Sequence, residues 1–371
     1  MNAAPAASFE VQLTVSSFNA ASAEALSSYA PPETVRVLEL QRPGAVRAGT
    51  RAVPAEGALL RVETAGVCGT DHHVFAGRIS VPLPCLLGHE VIGRLERVAP
   101  RHGLVMDEGV GVGDRVLIAP GVPCGDCDGC ANEERCLDRP VYGMTMPGDG
   151  LTGGFSPLMG LLPGTRVFRV PEDLAPARAV FAEPMACVLS ALRKAFGERY
   201  VPAGRDGLVL GFGALGICAA VALHAGGGTV TVLEYDAERR ALAERLGFAT
   251  LADPEEVERA VPLIVDAAGT PAAFAGALGL LAWSGTLVEL GNFADLGTVP
   301  IKPSEICLRD LRVIGSAETL YEDFGPAIRL VARTPIDLPQ AITDVHDFAS
   351  LADPDVLFNQ RPTGKALIAF A

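Results

Sequence analysis

The stretch GLVLGFGALG at residues 207–216 joins a short apolar run to three glycines and a second apolar run. A buried strand that turns directly into a helix through a G-x-G-x-x-G pattern is typical of a dinucleotide-binding unit. The glycines permit a tight turn and a close approach of the backbone to a pyrophosphate, which the helix N-terminus stabilises. The predicted cofactor-binding residues are Gly211, Gly213, Ala214, Leu215, Gly216 and Glu234.

Glu234 ends the next predicted strand, TVTVLE. A carboxylate at that position accepts hydrogen bonds from both ribose hydroxyls and repels a 2′-phosphate, which favours NAD over NADP. Arg239 and Arg240 lie nearby and keep NADP possible. The alternative is that the glycines serve only packing in a nucleotide-free domain, and the strand, helix and acid together disfavour it.

From this strand onward, strands and helices alternate along the chain, a pattern that predicts a parallel sheet covered by helices. Before it, from residue 35 to about 174, short β-like runs are broken by Gly and Pro, as in a small β-rich domain. The segment KALIAF near the C-terminus is strand-like and could rejoin that first domain. We predict an N-terminal extension at 1–33, a first domain at 34–190 and 336–371, and a second domain at 191–335.

Length and charge exclude several classes of protein. A chain of 371 residues exceeds one ordinary core, and a net charge of −14 argues against nucleic acids and anionic membranes as partners. No apolar run approaches the roughly 18 residues of a membrane span, and the N-terminus does not resemble a secretory signal. We therefore expect a cytoplasmic protein whose nine cysteines stay reduced and point to metal.

Four of these cysteines form the cluster CGDCDGCANEERC, with the spacing C-x2-C-x2-C-x5-C. Four thiolates so close together can enclose a tetrahedral Zn²⁺ at about 2.3 Å per bond and leave no position for a substrate. A disulfide cluster is the disfavoured alternative. The predicted ligands of a structural zinc are Cys124, Cys127, Cys130 and Cys136.

A second metal site is suggested by GVCGTDHH at 66–73 and by LLGHEVIG, which contribute Cys68 and His89. A catalytic zinc requires three protein ligands and an open fourth position. Spacing alone nominates these two residues only weakly, since a lone Cys and a lone His are more often packing residues.

Taken in order, GVCGTDHH, GHE, the four-cysteine loop, GDRV at 113–116 and GFGALG resemble the zinc-containing medium-chain alcohol dehydrogenases. The stretch AEPMACVLSAL at 182–192 is most similar to the polyol and threonine dehydrogenase branch. The resemblance implies an α/β fold with a GroES-like catalytic domain, a Rossmann cofactor domain and an active site between them. It also implies two Zn²⁺ per chain, one catalytic and one structural.

By the same resemblance, Cys68 and His89 match the family's first two ligands of the catalytic zinc. Glu183, which precedes a proline, is our first choice for the third ligand, and Glu90 is the second choice. Cys187 is expected to be a packing residue of a helix.

Three further residues take roles from the resemblance. Thr70 matches the hydroxyl that touches the substrate oxygen, and His73 matches an imidazole that relays protons to solvent. Asp71 is expected to orient His89, as metal-bound imidazoles require. His72 has no catalytic counterpart and is expected to be a surface or loop histidine.

The sequence departs from the family in two places. Five residues, rather than the usual seven, separate the last two cysteines of the loop, which still allows one ion to be enclosed. The segments 1–33 and 100–112 are longer than the family norm.

The predicted function is oxidation of a secondary, polar alcohol to a ketone or aldehyde with hydride transfer to NAD. The alternatives are a carbonyl reductase, an NADP-linked member of the family, or a dinucleotide-binding protein without catalysis. The expected partners are a small alcohol or carbonyl substrate and further copies of the chain, as a dimer or a tetramer.

Overall fold

Three β-sheets organise the protein in this computed structural model, which describes residues 31–99, 103–131, 136, 139–145, 150–201, 203–317 and 319–370. Pro32–Ala371 forms one compact unit. Of the segments predicted to be unusually long, residues 1–30 and 100–102 lie outside the described residues.

The strands fall into a β-rich group and a parallel group along the chain. The β-rich group begins with β1 (Thr34–Arg42), β2 (Ala45–Ala52), β3 (Ala58–Val67), β4 (Cys85–Leu86), β5 (Glu90–Arg97), β6 (Val105–Met106), β7 (Arg115–Ile118), β8 (Leu158–Leu161) and β9 (Arg166–Arg169). The parallel group contains β10 (Gly207–Leu210), β11 (Val230–Leu233), β12 (Ala249–Leu251), β13 (Val261–Asp266), β14 (Leu281–Glu289) and β15 (Arg312–Gly315). The chain ends with β16 (Ile342–Asp347) and β17 (Lys365–Ala369).

The helices are short except for two that pack against the parallel sheet. They are α1 (Gly69–Phe75), α2 (Asp128–Ala131), α3 (Pro176–Ala179), α4 (Ala182–Phe196), α5 (Ala214–Ala225), α6 (Ala237–Arg245), α7 (Pro271–Leu280), α8 (Pro303–Leu308), α9 (Phe324–Arg333) and α10 (Val356–Asn359). Single 3-10 turns occupy Gly197–Arg199, Pro254–Glu256, Tyr321–Asp323 and Leu338–Ala341.

The β-rich part contains a three-stranded sheet, β2-β1-β4, and an eight-stranded sheet in the order β16-β17-β3-β5-β7-β9-β6, with β8 also paired to β3. The C-terminal strand β17 runs antiparallel to β3, with Leu367 opposite Gly66. The prediction that KALIAF returns to the first sheet is confirmed. Because this strand borders β3, residues near the C-terminus reach the segment around Cys68.

The second part is a six-stranded sheet in the order β12-β11-β10-β13-β14-β15, in which every pair is parallel. Residues of β10 are all buried, as expected for a central strand covered on both faces. The glycine-rich turn joins β10 to α5, as predicted. The α/β fold class with a GroES-like and a Rossmann part is confirmed, while the exact domain boundaries stay a prediction.

Helix α4 lies at the junction of the two parts. It spans Ala182–Phe196 and therefore crosses the predicted boundary at 190–191. Its buried side chains Met185 and Leu189 share one hydrophobic core with Ile92 of β5 and Val209 of β10. Among the described residues, no helix has both the length and the apolar character that a bilayer span requires.

Candidate active site and cysteine loop

The geometry around Cys68 is fixed at the start of α1. Cys68 is the N-cap residue, and its Sγ accepts a hydrogen bond of 3.4 Å from the amide of Thr70. The carboxylate of Asp71 accepts a reciprocal bond of 2.9 Å from the amide of Cys68, so the pair forms a capping box. The thiol is therefore held in one direction by its own helix.

His89 lies directly across from the same carboxylate. Its Nδ1 is 3.5 Å from Oδ1 of Asp71, and both side chains are buried. Burial lowers the pKa of His89, but Asp71 and Cys68 raise it well above its usual value. Because Nδ1 faces the carboxylate of Asp71, Nε2 is the nitrogen left for a metal. This is the arrangement required if Asp71 orients His89, as the sequence analysis predicts.

Glu90 completes a group of three potential ligands. Each of Cys68, His89 and Glu90 offers one potential ligand atom, and these three atoms lie within 4.8 Å of one another. Oε2 of Glu90 accepts a hydrogen bond from Nζ of Lys365, and Oε1 is buried with no partner among the described residues. Gly66 lies opposite Glu90 in the neighbouring strand and leaves room for the Glu90 side chain, because a Cβ on residue 66 would lie 1.9 Å from Oε2.

Glu183 lies in the first turn of α4 and is 5% exposed. Burial and the charge of Glu90 raise its pKa to about 7, although His89 opposes this shift. Oε1 accepts a weak hydrogen bond of 3.5 Å from Sγ of Cys187. Among the described residues, Glu183 is not part of the group within 4.8 Å, so the geometry favours Glu90, the second choice from the sequence.

Two residues near this group were not identified from the sequence as residues of the site. Lys365 is buried and pairs with Glu90 although 275 positions separate them. Its signal was a lysine at the start of an apolar strand, which cannot be satisfied without a buried acid. Cys187, expected to be a helix packing residue, lines the cavity described below, with Sγ at 2.9 Å from Oγ1 of Thr319.

The expectation that His72 is a surface or loop histidine is wrong. His72 is 9% exposed, because α1 packs against α10 and places the ring edge-on to Phe358 at 5.5 Å between centroids. Burial lowers its pKa to about 4, so the imidazole is neutral at ordinary pH.

A cavity of about 550 Å³ joins the three-ligand group to the glycine-rich turn. Residues from both predicted sites line it: Cys68, Thr70, His73, His89, Glu90, Glu183, Gly211, Gly213, Ala214, Leu215 and Glu234. Asp71, behind His89, and Gly216, behind the turn, are not in the lining. The structure thus brings the predicted metal and cofactor residues to one cavity.

His73 has charged neighbours on both sides of its ring. Nη1 of Arg78 lies 3.5 Å from Nδ1, and Nη2 of Arg361 lies 3.4 Å from Nε2. Burial, and then the charges of Arg361 and Arg78, lower the pKa of His73. The imidazole is consequently neutral near neutral pH.

The glycine-rich turn has the geometry that a pyrophosphate needs. Gly211 adopts φ of 81°, and a Cβ on Gly216 would lie 2.0 Å from the carbonyl oxygen of Gly211. Above Gly213 nothing lies within 4 Å, which leaves its surface open to the cavity. No side chain caps the N-terminus of α5, so its first amides are free for a ligand.

Glu234 is held at the end of β11 by two backbone amides. Its carboxylate accepts bonds of 2.8 Å from Phe212 and 2.9 Å from Asp236. Arg239 donates to the carbonyl of Pro362 at 3.0 Å, and Arg240 donates to the carbonyl of Glu234 at 2.7 Å. Both arginines that kept NADP possible are therefore engaged with backbone oxygens.

The four cysteines of the loop come together in space. Their ligand atoms lie within 4.8 Å of one another, and Sγ of Cys124 is 3.8 Å from Sγ of Cys130. Backbone amides of Cys124, Gly125 and Cys130 donate to sulfur at 3.4 Å. Sulfurs at the corners of a tetrahedron with bonds of about 2.3 Å are about 3.8 Å apart, so the loop fits a zinc ion.

A helix-covered parallel sheet with an open glycine-rich turn, lining one cavity with a thiol–imidazole–carboxylate group, is an arrangement typical of oxidoreductases that use a metal and a dinucleotide. The family models agree. Residues 54–172 match the alcohol dehydrogenase GroES-like domain, and residues 214–333 match the zinc-binding dehydrogenase domain. The chain belongs to the zinc-containing medium-chain alcohol and polyol dehydrogenases, as the sequence motifs predicted.

Individual relatives support this membership. A probable alcohol dehydrogenase of Mycobacterium tuberculosis is 34% identical over 76% of this chain and 83% of its own length. The L-galactonate-5-dehydrogenase of Escherichia coli is 28% identical over 91% of this chain and 99% of its own. A solved candidate zinc-binding dehydrogenase of Sinorhizobium meliloti, bound to NADP, has a TM-score of 0.78 at 27% identity and covers 91% and 100% of the two chains.

Proposed function

We propose that this protein oxidises a secondary, polar alcohol to a ketone or aldehyde, with zinc as the catalytic metal and NAD as the hydride acceptor. The observation that carries the proposal is the cavity shared by the Cys68–His89–Glu90 group and the glycine-rich turn. The acidic polyol substrate in the name of the Escherichia coli relative is consistent with a polar alcohol.

The metal ligands proposed are Cys68, His89 and Glu90, with Glu183 as the alternative third ligand. One thiol, one imidazole and one carboxylate form a donor set that suits zinc and leaves a fourth position for substrate. The unpartnered Oε1 of Glu90 supports its choice. Zinc, when bound, supplies Lewis-acid polarisation of the substrate oxygen. Metal content of Glu90→Gln and Glu183→Gln variants tests the assignment.

The chain's own residues would then move the proton. Thr70, which lines the cavity two residues after Cys68, accepts the proton of the substrate hydroxyl. His73 exchanges that proton with solvent, and its ring is neutral before the transfer because burial and two neighbouring guanidinium groups lower its pKa. Asp71 keeps His89 oriented and does not itself touch the substrate.

Glu234 supports NAD as the preferred cofactor. Two amides fix its carboxylate on the cavity wall, where a 2′-phosphate would be repelled, and the neighbouring Arg239 and Arg240 each donate to a backbone carbonyl. The comparison of kcat/KM for NAD and NADP with one alcohol tests this preference. A higher value for NADP would overturn it.

A second zinc is proposed for Cys124, Cys127, Cys130 and Cys136, in a structural role. Four sulfur ligands close the coordination shell, so this ion would order the loop and take no part in the reaction.

A homo-oligomer is also proposed. The edge strand β15 pairs on one side only among the described strands. Trp283 and Leu308, near that edge, are 72% and 70% exposed. An open edge beside exposed apolar side chains suits a second copy of the chain. Light scattering of the wild type and of Trp283→Ser tests this association.

The central experiment measures reduction of NAD by the zinc-loaded protein over a panel of secondary alcohols. Thr70→Val should retain zinc and cofactor but lose turnover by about 10²–10⁴-fold, whereas Thr70→Ser should keep most of it. Full activity of Thr70→Val would show that the proton path is wrong. Absence of turnover by the wild type with alcohols and carbonyls, and with either cofactor, would favour the non-catalytic alternative.

A further inference from the structure

Two acids end neighbouring strands of the parallel sheet, and each is followed by a loop that lines the cavity. Asp266 is the last residue of β13 and Glu289 is the last residue of β14, and the two lie opposite each other in the register of this parallel pair. We call residues 267–270 and 290–293 the two cavity loops. Their lining residues are Ala267, Ala268, Gly269, Thr270, Leu290, Gly291 and Phe293.

Each carboxylate uses one oxygen to hold its own loop. Oδ1 of Asp266 accepts a hydrogen bond of 2.9 Å from the amide of Ala268. Oε1 of Glu289 accepts bonds of 2.9 Å and 3.1 Å from the amide and the side chain of Asn292. The second oxygens, Oδ2 and Oε2, are buried and receive no donor from the described residues. Because carboxylate oxygens are acceptors, two of them can bond to each other only when one carries a proton.

The surroundings of Asp266 favour that proton. Asp266 is 0% exposed, and burial, followed by the charge of Glu289, raises its pKa to about 7. A hydrogen bond with the side chain of Glu289 acts in the same direction, while the amides of Ala268 and Gly269 oppose the shift. One proton between the two acids would remove both the charge repulsion and the unmet hydrogen bond.

Few other titratable groups surround the pair. The remaining residues of β13 and β14, both cavity loops and helix α7, which packs on the two strands, carry none. The register partners in the adjoining strands, Leu210 and Gly315, carry none either. Helices α5 and α4, which contact β13 and β14, carry Cys218, His224, Glu183, Cys187, Arg193 and Lys194. Glu289 is the charged group with the largest effect on the pKa of Asp266.

The two cavity loops touch each other and the glycine-rich turn through backbone atoms. A Cβ on Gly269 would lie 2.5 Å from the carbonyl oxygen of Gly291, and a Cβ on Gly211 would lie 2.8 Å from Cα of Ala268. The amide of Leu290 also donates to the carbonyl of residue 266 at 3.0 Å. A change in the distance between the two acids would therefore be passed directly to the wall of the cavity.

We propose that Asp266 and Glu289 are positioning residues of the cofactor site, which share one proton and thereby hold the two cavity loops in the arrangement that binds the dinucleotide. The inference rests on the proposed function, because it takes the cavity as the cofactor site. Loss of the proton would leave two buried like charges side by side and disfavour this arrangement. The cofactor therefore binds the protonated pair more tightly, and by linkage its binding takes up a proton at alkaline pH.

The experiment measures the NADH affinity of the zinc-loaded protein by fluorescence titration between pH 6 and pH 9 at constant ionic strength. The wild-type Kd should rise about 10-fold across this range, a coupling of ordinary size for two linked sites. Asp266→Asn and Glu289→Gln each introduce a neutral amide that can donate to the remaining carboxylate in place of the shared proton. Both variants should lose most of the rise and bind NADH more tightly than the wild type at pH 9.

A second measurement counts the proton directly. Calorimetry of NADH binding at pH 8, in two buffers with different ionisation enthalpies, should show that the wild type takes up as much as about one proton more than either variant. Glu258→Gln, an exposed acid between β12 and β13, is the matched control. This control should keep both the wild-type pH dependence and the wild-type proton uptake.

Two results would overturn the inference. One is a wild-type Kd for NADH that does not change with pH. The other is a pH dependence that Asp266→Asn and Glu289→Gln both retain while folded by circular dichroism, since another group would then be responsible. Either result leaves the proposed function intact where alcohols still reduce NAD. The proposed function fails separately if NADH binds with the expected pH dependence but no alcohol or carbonyl is turned over, and absence of NADH binding at every pH would overturn both.

Discussion

Replacing Lys365 by Met should destabilise the protein strongly, because the substitution leaves Glu90 buried without its cationic partner. The side chains of Lys365 and Glu90 are 0% and 1% exposed. Burial alone lowers the pKa of Lys365, yet Glu90 and Cys68 raise it above the usual value, so the ammonium group of Lys365 is charged. Methionine has a similar length and removes only the charge and its hydrogen bond.

The magnitude follows from the burial of both partners. Breaking a buried ion pair by removing one side destabilises a protein by about 3–5 kcal/mol, since the remaining charge is left uncompensated. Each kcal/mol lowers the melting temperature of a unit of 150–250 residues by about 2–4 °C, so the melting temperature should fall by about 6 °C or more.

The assay is thermal and urea unfolding of chelator-treated protein, so that metal binding does not contribute. The double variant Lys365→Met/Glu90→Gln removes both charges and should recover most of the lost stability. Lys302→Met, at an exposed position ahead of α8, is the matched control and should change stability by less than about 0.5 kcal/mol.

The reasoning would be refuted if the free energy of unfolding of Lys365→Met lay within about 1 kcal/mol of the wild-type value. It would also be refuted if the double variant were no more stable than Lys365→Met. Either result would mean that Glu90 is neutral in the wild type or reaches water when Lys365 is lost.

Three further perturbations have definite expected outcomes. Gly216→Ala, whose Cβ would lie 2.0 Å from a backbone oxygen, should lower the melting temperature and abolish NADH binding. Gly213→Ala, whose Cβ would meet nothing within 4 Å, should fold normally and only weaken NADH binding. Circular dichroism measures folding and fluorescence titration measures binding, and equal losses of melting temperature in the two variants would contradict the expectation. Burial and the neighbouring carboxylate on β14 raise the pKa of Asp266 from 3.8 to about 7, so the wild type should lose stability as pH rises through that interval. Asp266→Asn should remove this loss of stability with pH, so the variant should be more stable than the wild type at pH 8 but not at low pH. Identical urea midpoints of the variant and the wild type at pH 8 would contradict this expectation. Arg78→Ala should raise the pKa of His73 and move the acidic limb of the kcat/KM profile to higher pH; an unmoved limb would exclude His73 as the group that titrates there.

Local patterns allowed much of the fold to be predicted from the sequence. The strand–glycine–helix unit at 207–216 was recognisable because strand, turn and helix each have their own signal within ten residues. The four-cysteine site was equally easy to predict, because its four candidate ligands lie close together in the sequence.

Nonlocal contacts explain what the sequence could not reveal. The pair of Glu90 with Lys365 depends on β17 returning to β3, and no local pattern specifies which buried acid meets that lysine. The burial of His72 depends on α10, far along the chain. The order of Glu90 and Glu183 as ligands was likewise a question of three-dimensional placement rather than of motif.

The most direct test of the account is the zinc content per chain, measured by elemental analysis together with NAD-linked turnover in the wild type, Cys124→Ser and Cys68→Ser. The account predicts two ions in the wild type and one in each variant, with turnover abolished in Cys68→Ser. A single ion in the wild type that is lost in Cys124→Ser and retained in Cys68→Ser would contradict it, because the metal would then belong to the cysteine loop alone.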